Sequence, residues 1–207
     1  MRTQRAVILI SGRGSNMEAI VRASHAGPLR DLCEIVAVLS NRADASGLEA
    51  AEMLGVPTGV VPSKGLDTGA YGDRLLEALS VWSPDVVILA GFMRFVSSAL
   101  VDAYPGRIVN IHPADTCSYQ GPDGYGWAAA AGLDETYITV HLVDAGIDTG
   151  PILSQQAVDL RGLHTREEIL SRGLAAEHGH YVRTLANLFN GQYQDVVEGF
   201  AGSEGGP

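Results

Sequence analysis

Cysteine is scarce: Cys33 and Cys117 are the only two in 207 residues, far apart and without metal-ligand spacing. That excludes a disulfide framework and leaves free thiols as the expectation. No apolar stretch approaches the roughly 18 residues that a membrane-spanning helix needs. The first apolar run, residues 6–10, breaks at once into Ser11-Gly12. It is too short for a signal-peptide core with its cleavage region, so it reads as a first strand, and the cytoplasm is the expected location. Positive charge is also in short supply. Lys and Arg number 14 against 24 Asp and Glu, a formal net charge of −10. Phosphate backbones are bound by clustered Lys and Arg, so nucleic acid is not an expected partner. Small-molecule partners are, with the chain a monomer or homodimer, and each cation beside a pocket matters individually.

What the sequence does have is alternation. Apolar runs at 6–10, 35–39, 86–89, 108–111 and 137–143 are separated, in the first half, by amphipathic stretches at 16–24, 46–54 and 68–81. The first three runs are nearly continuous in Val, Ile, Leu and Ala, as in strands buried on both faces. Strand alternating with helix predicts a Rossmann-like α/β fold, a mostly parallel sheet with helices on both faces. The runs at 137–143 and 152–158, joined by a turn-rich segment, suggest an antiparallel addition. A long helix over 165–190 covers one face, one domain spans 1–200, and 201–207 reads as a flexible tail.

Ligands of such sheets bind beyond the carboxyl ends of the strands. Gly12-Arg13-Gly14-Ser15-Asn16 follows the first strand and opens a helix, where backbone N–H groups favour an anion. Three readings are open: a substrate phosphate, a tight turn with no ligand, or a dinucleotide loop. The last lacks its third glycine, since Met17 stands there, and it has no acid after the second strand. Arg42 would suit the extra phosphate of NADP, which keeps a reductase as an alternative.

Asn110 and His112 end the fourth apolar run with Ile111 between them, so a period of two turns both side chains to one face. An amide donor and a proton carrier suit a reaction that passes through an oxyanion. Asp148, in Gly146-Ile147-Asp148-Thr149-Gly150, reaches His112 only if the fold brings it there; its charge would then raise the histidine pKa. Each also has a plain structural reading, as a turn residue or a packed histidine. His141, mid-strand, reads as structural, and His164, His178 and His180 as surface or local packing residues.

Ser11-Gly-Arg-Gly-Ser-Asn16, Ser40-Asn-Arg-Ala-Asp-Ala-Ser-Gly-Leu48, Ala90-Gly-Phe-Met-Arg94, Asn110-Ile-His-Pro113 and Asp148-Thr-Gly-Pro-Ile152 occur in one chain and in this order. In this the chain resembles the phosphoribosylglycinamide formyltransferases of purine synthesis, from about Ala6 to the last helix. The resemblance implies formyl transfer from 10-formyltetrahydrofolate to the amine of glycinamide ribonucleotide, without a metal. It implies catalytic roles for Asn110, His112 and Asp148, and a phosphate cradle in Gly12–Asn16, with Lys64 nearby. Glu177 matches a position that contacts the nucleotide. Met93, Arg94 and Phe95, with Val143, Asp144, Ala145, Gly146 and Ile147, match the folate pocket. Another amine, or water as in a formyltetrahydrofolate hydrolase, is the alternative acceptor.

One segment departs from that pattern. Where the family continues Ser-Leu-Leu-Pro after Asn-x-His-Pro, this chain has Ala114-Asp-Thr-Cys, and Asp123 replaces a common histidine. With Gly121, Gly124 and Gly126 in it, residues 114–127 are expected to be supple and to order around a ligand. Asp115 or Asp123 is expected to contact a phosphate-bearing amine.

Overall fold

The computed structural model describes residues 2–203. The chain runs β1 Gln4–Ile10, α1 Ser15–Ala26, β2 Cys33–Ser40, α2 Ser46–Met53, β3 Thr58–Val60, α3 Thr68–Trp82, β4 Val86–Leu89 and α4 Ser98–Ala103. It continues β5 Ile108–His112, α5 Gly124–Ala130, β6 Glu135–Leu142, β7 Ile152–Asp159, α6 Arg166–Phe189 and α7 Gln194–Ser203. The strands form one seven-stranded sheet in the order β3-β2-β1-β4-β5-β6-β7. β1 to β5 are parallel, and β6 and β7 add antiparallel. The expected mostly parallel α/β sheet with an antiparallel addition is therefore present.

Alternation within β1 explains its continuous apolar run. Ala6, Ile8 and Ile10 enter one core with Met17 and Ile20 of α1 and Tyr181 and Leu185 of α6. Val7 and Leu9 enter the other with Tyr71, Leu75 and Leu79 of α3. All five β1 residues are fully buried, so both faces of the strand need hydrocarbon. Tyr181, also fully buried, directs its hydroxyl at the carbonyls of Leu89 and Val109, each 3.0 Å away, at the ends of β4 and β5.

After β3 the chain crosses back to β4 on the other side of β1, so strand order reverses between β1 and β4. The turns leaving those strands are joined by Ser11 N–H donating to the Gly91 carbonyl (3.0 Å). This reversal is the place where open α/β sheets hold ligands.

Four elements lie outside the expectation: β3, α4, α5 and α7. The expected supple segment is helical over α5, because Asp123 caps it through Gly126 N–H (3.1 Å) and Tyr125 and Ala128 are buried. Of the expected tail, residues 201–203 continue α7, and 204–207 lie outside the described residues. α7 forms because Val196, Val197 and Phe200 pack against the first core.

Candidate active site

The glycine loop is built around Gly14, whose φ of 76° is the left-handed region that side chains resist. Among the described residues no side chain caps α1, which leaves its first-turn N–H groups for an anion. The loop is held from behind by a buried chain. Ser11 Oγ donates to Asn41 Oδ1 (2.6 Å), and Asn41 Nδ2 donates to Ser63 Oγ (3.0 Å). Lys64 follows Ser63 directly, and Lys64 and Arg13 are both exposed. Met93 N–H also donates to Ser11 Oγ (2.7 Å), tying the loop to the turn after β4.

Asn110 and His112 stand at the end of β5, and Asp148 comes to them from the turn between β6 and β7. Asp148 adopts a left-handed φ of 52°, so the turn shape and the carboxylate position are set together. Asp148 Oδ2 is 3.3 Å from His112 Nδ1, and Oδ1 accepts from Asn110 Nδ2 (3.3 Å). The Gly121 N–H donates to Oδ2 (3.0 Å). Burial pushes the Asp148 carboxyl up, but His141, the Gly121 N–H and His112 outweigh it and hold it below the usual carboxylate range.

His112 is 4% exposed. Its Nε2 donates to the Tyr119 carbonyl (3.0 Å), and its ring stacks on Tyr119, which stacks on Trp127. Burial lowers the His112 pKa and exceeds the opposing pull of Asp148 and the Tyr119 carbonyl. The upward shift expected from Asp148 alone is thus reversed, because the ring loses more solvation than one carboxylate returns.

His141, read from the sequence as structural, stands beside the trio. It sits opposite Asn110 in the β5–β6 register, with Nε2 3.1 Å from Asn110 Nδ2 and 3.5 Å from Asp148 Oδ1. Its Nδ1 donates to the Leu142 carbonyl (2.7 Å). His141 Nε2 thus faces both the Asn110 amide and the Asp148 carboxylate, and the ring tautomer decides which of them it serves.

A cavity of about 330 Å³ opens beside these residues, lined by 91–96, 110–113, 121–123, 143, 144 and 146–148 together with Leu89 and His141. Its rim leaves Met93, Phe95 and Ile147 67%, 61% and 46% exposed, an apolar mouth of the size that small-molecule sites have. Met93, Phe95, Val143, Asp144, Gly146 and Ile147 line it as expected; Ala145 does not. Arg94 contributes its main chain, since its guanidinium packs over Tyr71 and donates to the Leu66 carbonyl (3.0 Å). A second cavity of about 500 Å³, lined by residues 116–120 and 148–152, shares only Asp148 with the first.

Glu177 lies apart from the reacting trio, buried between α1 and α5. It accepts from Asn16 Nδ2 and from the Tyr125 hydroxyl (2.6 Å). The two carboxylates of the divergent segment are occupied within the chain. Asp115 accepts from Cys117 N–H, Ser118 Oγ and Gln155 Nε2, and Asp123 caps α5 and pairs with Arg166 (2.8 Å). Arg42, the support for an NADP site, pairs with Asp44 (2.7 Å).

Residues 4–185 match the formyl transferase family. The chain belongs to that family. Phosphoribosylglycinamide formyltransferase of Escherichia coli (strain K12) is 36% identical over 187 residues, 90% of this chain and 87% of that protein. Glycinamide ribonucleotide transformylase 1 from Symbiobacterium toebii has a crystal structure that superposes with a TM-score of 0.86 at 36% identity, covering 92% of this chain and 89% of that one. The corresponding figures for phosphoribosylglycinamide formyltransferase from Brucella melitensis are 0.82, 42%, 90% and 96%.

Proposed function

We propose that this chain transfers the formyl group of 10-formyltetrahydrofolate to the amine of glycinamide ribonucleotide, a cytoplasmic step of purine biosynthesis carried out by a monomer or homodimer. The observation that carries the reading is the meeting of Asn110, His112 and Asp148 at the edge of an apolar cavity, with a glycine loop beyond β1, on the far side of β4 from β5.

The donor's flat ring system suits the cavity behind Met93 and Phe95, where main-chain groups of 91–96 and of 143, 144, 146 and 147 meet its polar edge. The acceptor's phosphate suits the uncapped N-terminus of α1, with Arg13 and Lys64 adding charge. As the amine nitrogen bonds to the formyl carbon, negative charge grows on the formyl oxygen. His112 serves that oxygen through Nε2 once the Tyr119 carbonyl releases it, and Asn110 turns one N–H from His141 or Asp148 toward it. Asp148, held ionised, stabilises the imidazolium and takes up the amine proton through water. The carbon–nitrogen bond to the folate then breaks, and that nitrogen receives a proton.

A formyl-transfer assay with the reduced-folate donor against a panel of amines tests the reading. Glycinamide ribonucleotide is expected to be the best acceptor. Faster transfer to a non-phosphorylated amine, or release of formate to water alone, overturns the acceptor.

A further inference from the structure

We propose that Tyr125 is a positioning residue for acceptor binding: through Glu177 it fixes Asn16 in the glycine loop. The effect on the acceptor rests on the function proposed above; the positioning itself rests on geometry.

Tyr125 lies in the segment that departs from the family pattern, and it has a seat made for it. Its ring packs where α6 carries Gly173, and a β-carbon at that position would come within 2.1 Å of the ring Cζ. The hydroxyl donates to Glu177 Oε1 (2.6 Å). The other carboxylate oxygen, Oε2, accepts from Asn16 Nδ2. Three elements distant in sequence thus meet on one carboxyl group.

Glu177 is 5% exposed, and among the described residues it forms no ion pair with Lys or Arg. A carboxylate buried without a Lys or Arg partner, with only His178 near enough to favour its charge, depends on its hydrogen-bond donors, and Tyr125 supplies one of them. Burial pushes the Glu177 carboxyl up, and the two donors counter that rise. Asn16 depends on Glu177 in turn. It is 7% exposed, and among the described residues its Oδ1 has no partner and the contact with Glu177 is the one side-chain hydrogen bond that orients its amide. Removing the Tyr125 hydroxyl leaves Glu177 short of a donor and frees it and Asn16 to rearrange. Tyr125 is 4% exposed with its hydroxyl engaged, so it acts through Glu177 and does not touch a ligand. The reacting trio uses none of these three side chains, and the consequence belongs to the acceptor side of the reaction.

The test is Tyr125→Phe, which keeps the ring in its seat and removes the hydroxyl. In the free protein, amide hydrogen exchange in residues 18–20 of α1, whose N–H groups bond back to the glycine loop and first turn from Glu18 onward, is expected to quicken. With both substrates, KM for glycinamide ribonucleotide is expected to rise about tenfold, the scale of one hydrogen bond to a charged group. KM for the folate donor stays within about twofold. In a Glu177→Gln background the same change should add almost nothing, since the path runs through that carboxylate. Gly173→Ala, which pushes the ring from its seat, should reproduce the exchange effect should Tyr125→Phe prove unstable. Unchanged exchange in residues 18–20, or full additivity with Glu177→Gln, overturns the inference. Quickened exchange in Tyr125→Phe, where the parent protein formylates no nucleotide, supports the positioning role and overturns the function proposed above.

Discussion

At the scale of single residues, the chemistry turns on how buried groups share protons. Asp148 is held ionised while burial keeps His112 from charging readily, so the pair titrates as a unit. Asp148 is the charge that raises the His112 pKa against burial. Asp148→Asn removes it, and the His112 pKa falls further. If the imidazolium is the active form, the pH at which turnover declines as His112 deprotonates moves downward. A rate profile for the variant that overlays the parent's shows the two groups to be uncoupled. His112→Ala, Asn110→Ala and Asp148→Ala should each lower turnover by roughly 10²–10³, the worth of an oxyanion donor, with thermal unfolding checked alongside. Asn110 and His112 were legible in the sequence because a strand has a period of two. His141 was not, since its meaning lies in the cross-strand pairing with Asn110, and register between distant strands is invisible in one chain.

At the scale of elements, the long helices and buried strands announce themselves, and the short pieces do not. α6 begins with a complete capping box, Thr165 Oγ1 accepting from Glu168 N–H (3.2 Å) while Glu168 receives the Thr165 N–H (2.9 Å). The sequence shows that pattern directly. α5 opens Gly124-Tyr-Gly126, a poor helix by propensity. It exists because Asp123 caps it and Tyr125 seats on α6, neither of which local sequence declares. β3 has three residues and α4 six, short enough for packing to decide them. The start of α6 can be tested alone. Thr165→Ala should cost about 1 kcal/mol and lower Tm by about 2–4 °C in a chain of this size. An unchanged Tm would mean that the first turn frays without consequence for the fold.

At the scale of the whole molecule, a chain of formal charge −10 is proposed to bind an anionic acceptor, and the topology shows how this is reconciled. Reversal of strand order beside β1 gathers the exits of β1, β4 and β5 at one end of the sheet. There the N-terminus of α1 presents backbone N–H groups, and Arg13 and Lys64 stand exposed nearby. Attraction is therefore local and comes mostly from oriented peptide dipoles. The same end of the sheet would hold a dinucleotide in a reductase, so architecture alone does not separate the two activities. The walls of the site do. Asp148 and the apolar mouth at Met93 and Phe95 suit a flat folate, whereas Arg42, the cation that would greet NADP, is exposed and does not line this cavity. A reduced folate at a hundred times its Kd should stabilise the folded chain by about 2.7 kcal/mol, raising Tm by roughly 5–10 °C. NADPH at the same concentration should leave Tm where it was. The reverse pattern in a thermal-shift titration would move this chain from formyl transfer to hydride transfer, and equal shifts from both ligands would show a site that does not discriminate by its walls.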